Sequence, residues 1–180
     1  MSFNRIALCA VLALASVASG CGYALAGRGS FLPDYIRVVG IPQFENRSTF
    51  NQVEQVLTEK VRNEFIGRGK YRVVPEASGA DAVLSGSILA ISAQPIGLNE
   101  QQLASRYLFT ITMRMAFTDT RTNEVLWAND ALIYREEAEL STRGSTVIEG
   151  SSFVDQERSS FDRVATTVAR SVVTSILEAF

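Results

Sequence analysis

Alternation of apolar and polar residues is clearest between residues 107 and 118. Apolar side chains hold every odd position, and small or polar ones hold most even positions, which is the two-residue period of a strand with one buried face. Residues 119–123 have the composition of a turn, and residues 124–137 can return as the partner strand. The segment predicts a β-hairpin whose core face carries Tyr107, Phe109, Ile111, Met113, Met115 and Phe117.

Two other segments place apolar residues at steps of three and four, the period of a helix with one buried face. For the first helix, Thr49 and Gln52 predict an N-terminal capping box, and Gly67 and Gly69 predict left-handed C-terminal caps. Its predicted stripe is Val53, Val56, Leu57, Val61 and Phe65. The second helix should run from about residue 152 to the C-terminus, with a stripe of Val154, Phe161, Val164, Ala165, Val168, Val172, Ile176 and Phe180.

Three further runs rich in β-branched and aromatic residues predict strands. Residues 35–41, 71–74 and 81–94 each end at a proline, which cannot donate to a strand ladder. Gly86, inside the third run, predicts a bulge or a close approach by another backbone. The order of elements predicts an α/β (α+β) fold, a two-layer sandwich with two helices packed on one mostly antiparallel sheet of four or five strands.

The N-terminus carries a long uncharged apolar run. Arg5 precedes residues 6–18, which are too few to span a bilayer at about 20 residues but match the apolar core of an export signal. Ser19 and Gly20 then precede Cys21, the small-residue pattern of an acylated bacterial lipoprotein, although Ala18 stands where Leu is usual. We expect a cleaved signal over residues 1–20, a lipid on Cys21, a tether over residues 21–34 and one domain over residues 35–180.

The alternative is an ordinary secretory signal that leaves Cys21 as a free thiol. The chain has 2 Cys, and Cys9 leaves with the signal, so no internal disulfide can form. An unpaired thiol is unusual in an oxidising compartment, which favours the lipid. Gly22, where Asp would retain a lipoprotein in the inner membrane, predicts the periplasmic side of the outer membrane.

Composition removes several classes of function. The signal holds one of the 17 basic residues and none of the 19 acidic ones, which leaves a net charge of 16 minus 19, or −3, and argues against nucleic-acid binding. With 0 His and its remaining Cys acylated, the chain lacks the usual zinc, Cys-His and Ser-His-Asp sites. We therefore expect neither catalytic residues, nor a metal, nor a cofactor.

Four motifs carry a resemblance to a known family. They are CGY at residues 21–23, IPQFEN at 41–46, FIGRGKYRVV at 65–74 and ADAVLSGSI at 80–88. In these the chain resembles the lipopolysaccharide-assembly lipoproteins, the LptE family. The resemblance implies an outer-membrane lipoprotein that sits inside a β-barrel translocon, helps that barrel assemble and binds lipopolysaccharide on its way to the outer leaflet.

Activators of peptidoglycan synthases and curli-type secretion pores share parts of this pattern and remain the alternatives. An activator more often has a long tether, whereas residues 22–34 reach at most roughly 45 Å. A pore subunit needs long alternating segments that build a barrel, and the best such segment here has an aromatic and Met-rich face suited to covering by helices.

Function is expected on the outward face of the 106–137 hairpin. Arg114 and Arg106 can bind a phosphorylated sugar lipid, because guanidinium groups make bidentate hydrogen bonds, and Trp127 can lie against acyl chains or a barrel wall. Ordinary solvated arginines beside a covered tryptophan are the alternative. The predicted cross-strand pairs are Asp119 with Glu124, Ala116 with Trp127, Arg114 with Asn129, and Leu108 with Arg135.

Overall fold

The computed structural model describes residues 32–98, 104–139 and 158–179. The predicted signal, Cys21 and residues 21–31 of the tether lie outside the described residues, as do the predicted polar loop at 141–150, Val154 and Phe180. The elements in chain order are β1 (Val38–Gly40), β2 (Glu45–Asn46), α1 (Val53–Gly67), β3 (Arg72–Val74), β4 (Ala82–Leu98), β5 (Ala104–Asp119), β6 (Val125–Glu139) and α2 (Arg158–Leu177).

The strands form one mixed sheet of six strands in the order β3-β1-β4-β5-β6, with β2 also paired to β4. The predicted α+β architecture with two helices is confirmed, but the sheet is only roughly the one expected. β1 pairs in parallel with β3 and β4, β2 pairs in parallel with β4, and β4, β5 and β6 form the antiparallel meander. β1 and β3 can pair in parallel because α1 lies between them in the chain and carries it back to start β3 beside β1.

The predicted core face of β5 is confirmed. Every odd residue from Tyr107 to Phe117 is buried, and Phe65 of α1 stacks on Phe117 with ring centroids 6.5 Å apart. The α1 stripe is buried except for Val56, which is half-buried, and the described part of the α2 stripe is buried as well. Both helices therefore cover the same side of the sheet and enclose a single core.

The start of α1 differs from the prediction. Gln52 is the N-cap residue in a left-handed conformation, and no side-chain capping bond forms, so the predicted capping box is wrong. Asn46 organises this turn instead. Its side-chain oxygen accepts the N–H of Ser48 at 2.9 Å, and its amide donates to the Phe50 carbonyl at 2.7 Å. A turn closed by an Asx side chain competes with a capping box for the same backbone.

Two predictions along β4 need correction. The strand was expected to end before Pro95, but it continues to Leu98. Beyond Ile88, no described strand pairs with β4 on the side away from β5. Pro95, which has no N–H to donate, can therefore be accommodated at this open edge. Gly86 carries no bulge, since the nearest register shift in β4 lies between Ile88 and Ala90. What approaches Gly86 is the Phe44 ring, which would lie 3.0 Å from an added Cβ.

Candidate functional site

The candidate site lies on the side of the sheet opposite the helices. We call this surface the open face, because no element among the described residues covers it. Most of its side chains are small, so the surface has few projections. Its central members are Ser85, Ser87, Ala90 and Ser92 on β4, Thr110, Thr112, Arg114 and Ala116 on β5, and Ala128, Ile133 and Arg135 on β6.

A row of polar residues crosses the open face from β2 to β6. Glu45 pairs with Ser87, and Ser87 pairs with Arg114, in the strand registers. Ser87 Oγ donates to Glu45 Oε2 at 2.9 Å, and Arg114 Nε lies 3.0 Å from Asp130 Oδ1. The polar row, defined as Glu45, Ser87, Arg114 and Asp130, therefore has an acidic group at each end and a hydroxyl and a guanidinium between them, across four strands.

Arg47 binds Glu45, the residue at the β2 end of the polar row. Its guanidinium binds both carboxylate oxygens of Glu45, with Nε and Nη2 at 2.9 and 3.0 Å from Oε1 and Oε2. This pair, with the Ser87 hydroxyl, lowers the pKa of Glu45. A shallow groove of about 280 Å³ runs beside the row and is lined by Pro42, Gln43, Glu45, Ser85, Gly86, Ser87, Arg114, Met115 and Ala116.

The structure does not bring Arg106, Arg114 and Trp127 together. Trp127 pairs with Phe117, which puts it on the side that the helices cover, and it packs half-buried against the core. Arg106 lies opposite Glu139, eight residues along β5 from Arg114, or about 27 Å in an extended strand. Only Arg114 has a place in the polar row.

Two irregularities in β6 explain why the cross-strand pairs differ from the predicted ones. The hairpin starts as predicted, since Asp119 N–H donates to the Glu124 carbonyl at 2.9 Å and Asn123 has a left-handed φ of 59°. Relative to β5, β6 then has one extra residue between Val125 and Trp127 and a second between Asn129 and Leu132. Each extra residue moves the following side chains to the opposite face. The predicted pairs Ala116 with Trp127, Arg114 with Asn129 and Leu108 with Arg135 are therefore wrong.

A second polar cluster, missed from the sequence, lies at the turn between β5 and β6. The Tyr35 hydroxyl donates to Asp119 Oδ2, and the backbone N–H of Arg121 donates to Asp119 Oδ1 at 2.7 Å. These bonds lower the pKa of Asp119, and the carboxylate raises the pKa of Tyr35. The Arg121 guanidinium lies 4.8 Å from the centre of the Tyr35 ring. The cluster fastens the N-terminal segment to the hairpin and is structural.

Asp81 plays a similar part at the neighbouring strand ends. Its Oδ2 accepts the backbone N–H groups of Arg37 and Val38 at 3.0 and 2.9 Å, which lowers the pKa of the carboxyl group. Thr120 Oγ1 donates to the Ala80 carbonyl at 2.6 Å. The second residue of the ADAVLSGSI motif thus holds β1 against the start of β4. The motif itself was the feature of the sequence that pointed to Asp81.

Neither a metal-binding cluster nor a membrane-spanning helix occurs in the described parts of the chain. Within residues 32–98, 104–139 and 158–179, no three His, Cys, Asp or Glu side chains are placed to hold a metal ion. Within the same ranges, no helix has the length and apolar character needed to cross a membrane. The open face presents exposed charged groups at Glu45, Arg114 and Asp130.

Comparison with known proteins gives both a family and a fold. The fold recurs in a PelC dodecamer structure from Paraburkholderia phytofirmans, at 15% identity over 83% of this chain and 92% of that chain, with a TM-score of 0.52. Protein XCC0632 from Xanthomonas campestris gives a TM-score of 0.49 at 11% identity over 79% and 84% of the two chains. Rare lipoprotein B from Shewanella oneidensis gives a TM-score of 0.40 at 10% identity, over 79% of this chain and 92% of that chain.

No curated protein sequence matches the chain. The sequence model of the family described as LptE, lipopolysaccharide-assembly, matches residues 36–176, a range that runs from just before β1 to the last turn of α2. This chain therefore belongs to the LptE lipopolysaccharide-assembly family.

Proposed function

We propose that the chain is an outer-membrane lipoprotein that works with the β-barrel lipopolysaccharide translocon, assists assembly of that barrel and helps pass lipopolysaccharide to the outer leaflet. The observation that carries the proposal is the family match over residues 36–176. The predicted signal and the lipid on Cys21 would hold the domain on the periplasmic side of the membrane. It acts by binding, without catalysis.

The open face is the surface we assign to the barrel. Its serine, threonine and alanine side chains project little, so a second wall of protein can approach the sheet closely. The opposite side of the sheet is already occupied by α1 and α2, which it needs for its core. Docking through the open face would leave that core intact.

Arg114 is the residue we assign to the phosphate groups of lipopolysaccharide. Its side chain is 54% exposed, and that of its partner Asp130 is 86% exposed. An ion pair this exposed contributes only about 0–1 kcal/mol to stability. The guanidinium can therefore exchange the carboxylate for a phosphate, to which it makes two parallel hydrogen bonds.

Arg106 and Trp127 are proposed for separate contacts. Arg106 is exposed near the far end of β5, too distant from Arg114 to share one phosphate. Trp127 lies half-buried on β6, the outermost strand of the described sheet, so it is a candidate for contact with a partner at the sheet edge.

The test is charge reversal at Arg114. Arg114→Glu should weaken lipopolysaccharide binding by about ten-fold or more, because charge-assisted hydrogen bonds are replaced by repulsion. Arg170→Glu, on an exposed position of α2, is the matched control and should bind like the parent. Binding is measured with purified protein, and melting curves verify that both variants are folded.

Co-purification from detergent extracts tests the partner. The proposal expects an outer-membrane β-barrel to accompany the parent protein, and less of it to accompany Arg114→Glu. Equal behaviour of Arg114→Glu and Arg170→Glu in both assays would remove the open face from the proposal. A peptidoglycan synthase or a curli-type pore in place of the barrel would contradict the proposed function itself.

A further inference from the structure

A second groove lies where the described chain begins. Its volume is about 410 Å³, and it runs between residues 32–37 and the start of β3, where the N–H of Arg72 donates to the Arg37 carbonyl at 2.8 Å. The lining residues are Leu32, Pro33, Asp34, Ile36, Arg37, Lys70, Tyr71 and Arg72. We call this feature the basic groove. It is separate from the open face, because it lies at the β3 edge of the sheet.

Positive charge dominates the lining of the basic groove. Arg37, Lys70 and Arg72 are all exposed, and Asp34 is the one acidic residue in the lining. Lys70 also lines an adjoining groove, where Glu178 lies near it. The other cation of that adjoining groove, Arg68, forms an ion pair with Glu64 at 2.9 Å. On this edge Arg37, Lys70 and Arg72 outnumber Asp34 and Glu178 by three to two, although Asp81 also lies close to Arg37, and the exposed cations favour an anionic partner.

The position of the groove narrows the choice of that partner. Leu32 is eleven residues further along the chain than Cys21, a reach of at most about 40 Å. A lipid on Cys21 would therefore keep the basic groove near the leaflet that holds the lipid. Arg and Lys close to a membrane surface are attracted to anionic headgroups. Tyr71, half-buried in the groove wall, has the amphipathic ring that is enriched at membrane interfaces.

We propose that the basic groove docks on anionic phospholipid headgroups of the leaflet that carries the Cys21 lipid, and so orients the domain on the membrane. The inference rests on the lipid anchor of the proposed function. β1 and β3 both begin at this groove and run away from it, so docking there directs these strands away from the leaflet. The anchor limits the distance to the membrane, and the groove selects which end of the domain faces it.

The test uses the chain from residue 21 onward, made without a signal and therefore without a lipid. Its binding is measured by flotation with vesicles of phosphatidylcholine alone and of phosphatidylcholine with phosphatidylglycerol, at low salt. The parent should bind the anionic vesicles much more strongly, and added salt should weaken that binding. The triple variant Arg37→Gln, Lys70→Gln and Arg72→Gln should bind about 100-fold more weakly, at about five-fold for each cation removed.

The matched control removes the same charge elsewhere. Arg135→Gln, Arg163→Gln and Arg170→Gln replace exposed arginines on β6 and α2, and together should weaken binding by less than about five-fold. A double variant, Arg37→Lys and Arg72→Lys, keeps the charge and should bind like the parent. Melting curves verify folding in each case.

Equal losses in the two triple variants, or equal binding to both kinds of vesicle, would overturn the proposal. The assay contains no lipopolysaccharide, no barrel and no acylated protein, so its outcome is independent of those parts of the proposed function. Absence of a lipid on Cys21 would contradict the anchor, even if the basic groove bound the vesicles.

Discussion

Gly40 gives the sharpest test of how this sheet is built. Residues 75–81 carry the chain from β3 to β4, across β1, which lies between them. A Cβ added to Gly40 would lie 2.6 Å from the Glu76 carbonyl oxygen, 3.0 Å from Ala80 Cβ and 3.3 Å from Ala77 Cα. The nearest of these atoms belongs to the backbone, so no rotamer change can relieve the contact.

The crossing segment also has little freedom to move. The N–H of Asp81 donates to the Val38 carbonyl at 2.8 Å, while the Asp81 carboxylate accepts the N–H groups of Arg37 and Val38. Shifting the Glu76 carbonyl outward would strain these bonds. Overpacking at a constrained site typically costs about 1–3 kcal/mol. We therefore expect Gly40→Ala to lower the free energy of unfolding by about that amount.

Gly67→Ala is the matched control. Gly67 ends α1 with nothing within 4 Å of an added Cβ, and its φ is not in the left-handed region. Replacing a helical glycine by alanine stabilises by roughly 0.5–1 kcal/mol. The two variants make the same chemical change, so their difference isolates the crossing over β1.

Thermal and urea unfolding measure both effects. For a domain of this size, each kcal/mol moves the thermal midpoint by about 2–4 °C. Gly40→Ala should melt below the parent, and Gly67→Ala at or above it. A Gly40→Ala midpoint equal to that of the parent would show that the crossing segment yields easily, and would refute the argument from the backbone contact.

Three further predictions follow from the anchor, the core and the turn cluster. Cys21→Ala should lose metabolic fatty-acid label while keeping its melting curve, and label on the variant or none on the parent would contradict the anchor. Ile111→Ala, at a residue 1% exposed, should cost about 2–5 kcal/mol, whereas Ile133→Ala, at 50% exposure on the open face, should leave urea unfolding nearly unchanged. Because folding lowers the pKa of Asp119, its stabilising contribution is complete above the unfolded-state value of about 3.9 and is lost as pH falls through the folded-state pKa. Asp119→Asn should therefore flatten the acid side of the stability curve below about pH 4, and Tyr35→Phe should flatten it in part; an unchanged curve for both would count against this assignment.

The sequence alone determined the features that depend on near neighbours in the chain. Alternation from Tyr107 to Phe117 identified the core face of β5, because successive strand residues point to opposite sides wherever the strand is placed. The stripe from Val53 to Phe65 identified the buried side of α1 for the corresponding helical reason. The family, too, was readable from short motifs such as IPQFEN, and the match over residues 36–176 confirms it.

Register and pairing partners were decided by the tertiary structure. Two extra residues in β6 put Trp127 on the helix side of the sheet and brought Asp130, in place of Asn129, to Arg114. A bulge depends on how well β6 matches β5 and the helix beneath it, so its position is not written in local composition. One residue of shift reverses every face beyond it. A site that combines side chains from neighbouring strands is therefore more sensitive to such a shift than the core face of a single strand.

The parallel pairing of β1 with β3 and β4 depended on distant segments in the same way. Hydrophobic periodicity predicts that a segment is a strand but not which strands it pairs with. β2 has two residues and is too short to show any period. Gly40 is a glycine because a segment more than 30 residues later in the chain passes over it. The basic groove likewise forms only when residues 32–37 lie beside Lys70 and Arg72. Local chemistry determined which side chains each element offers, and long-range packing determined which of them meet.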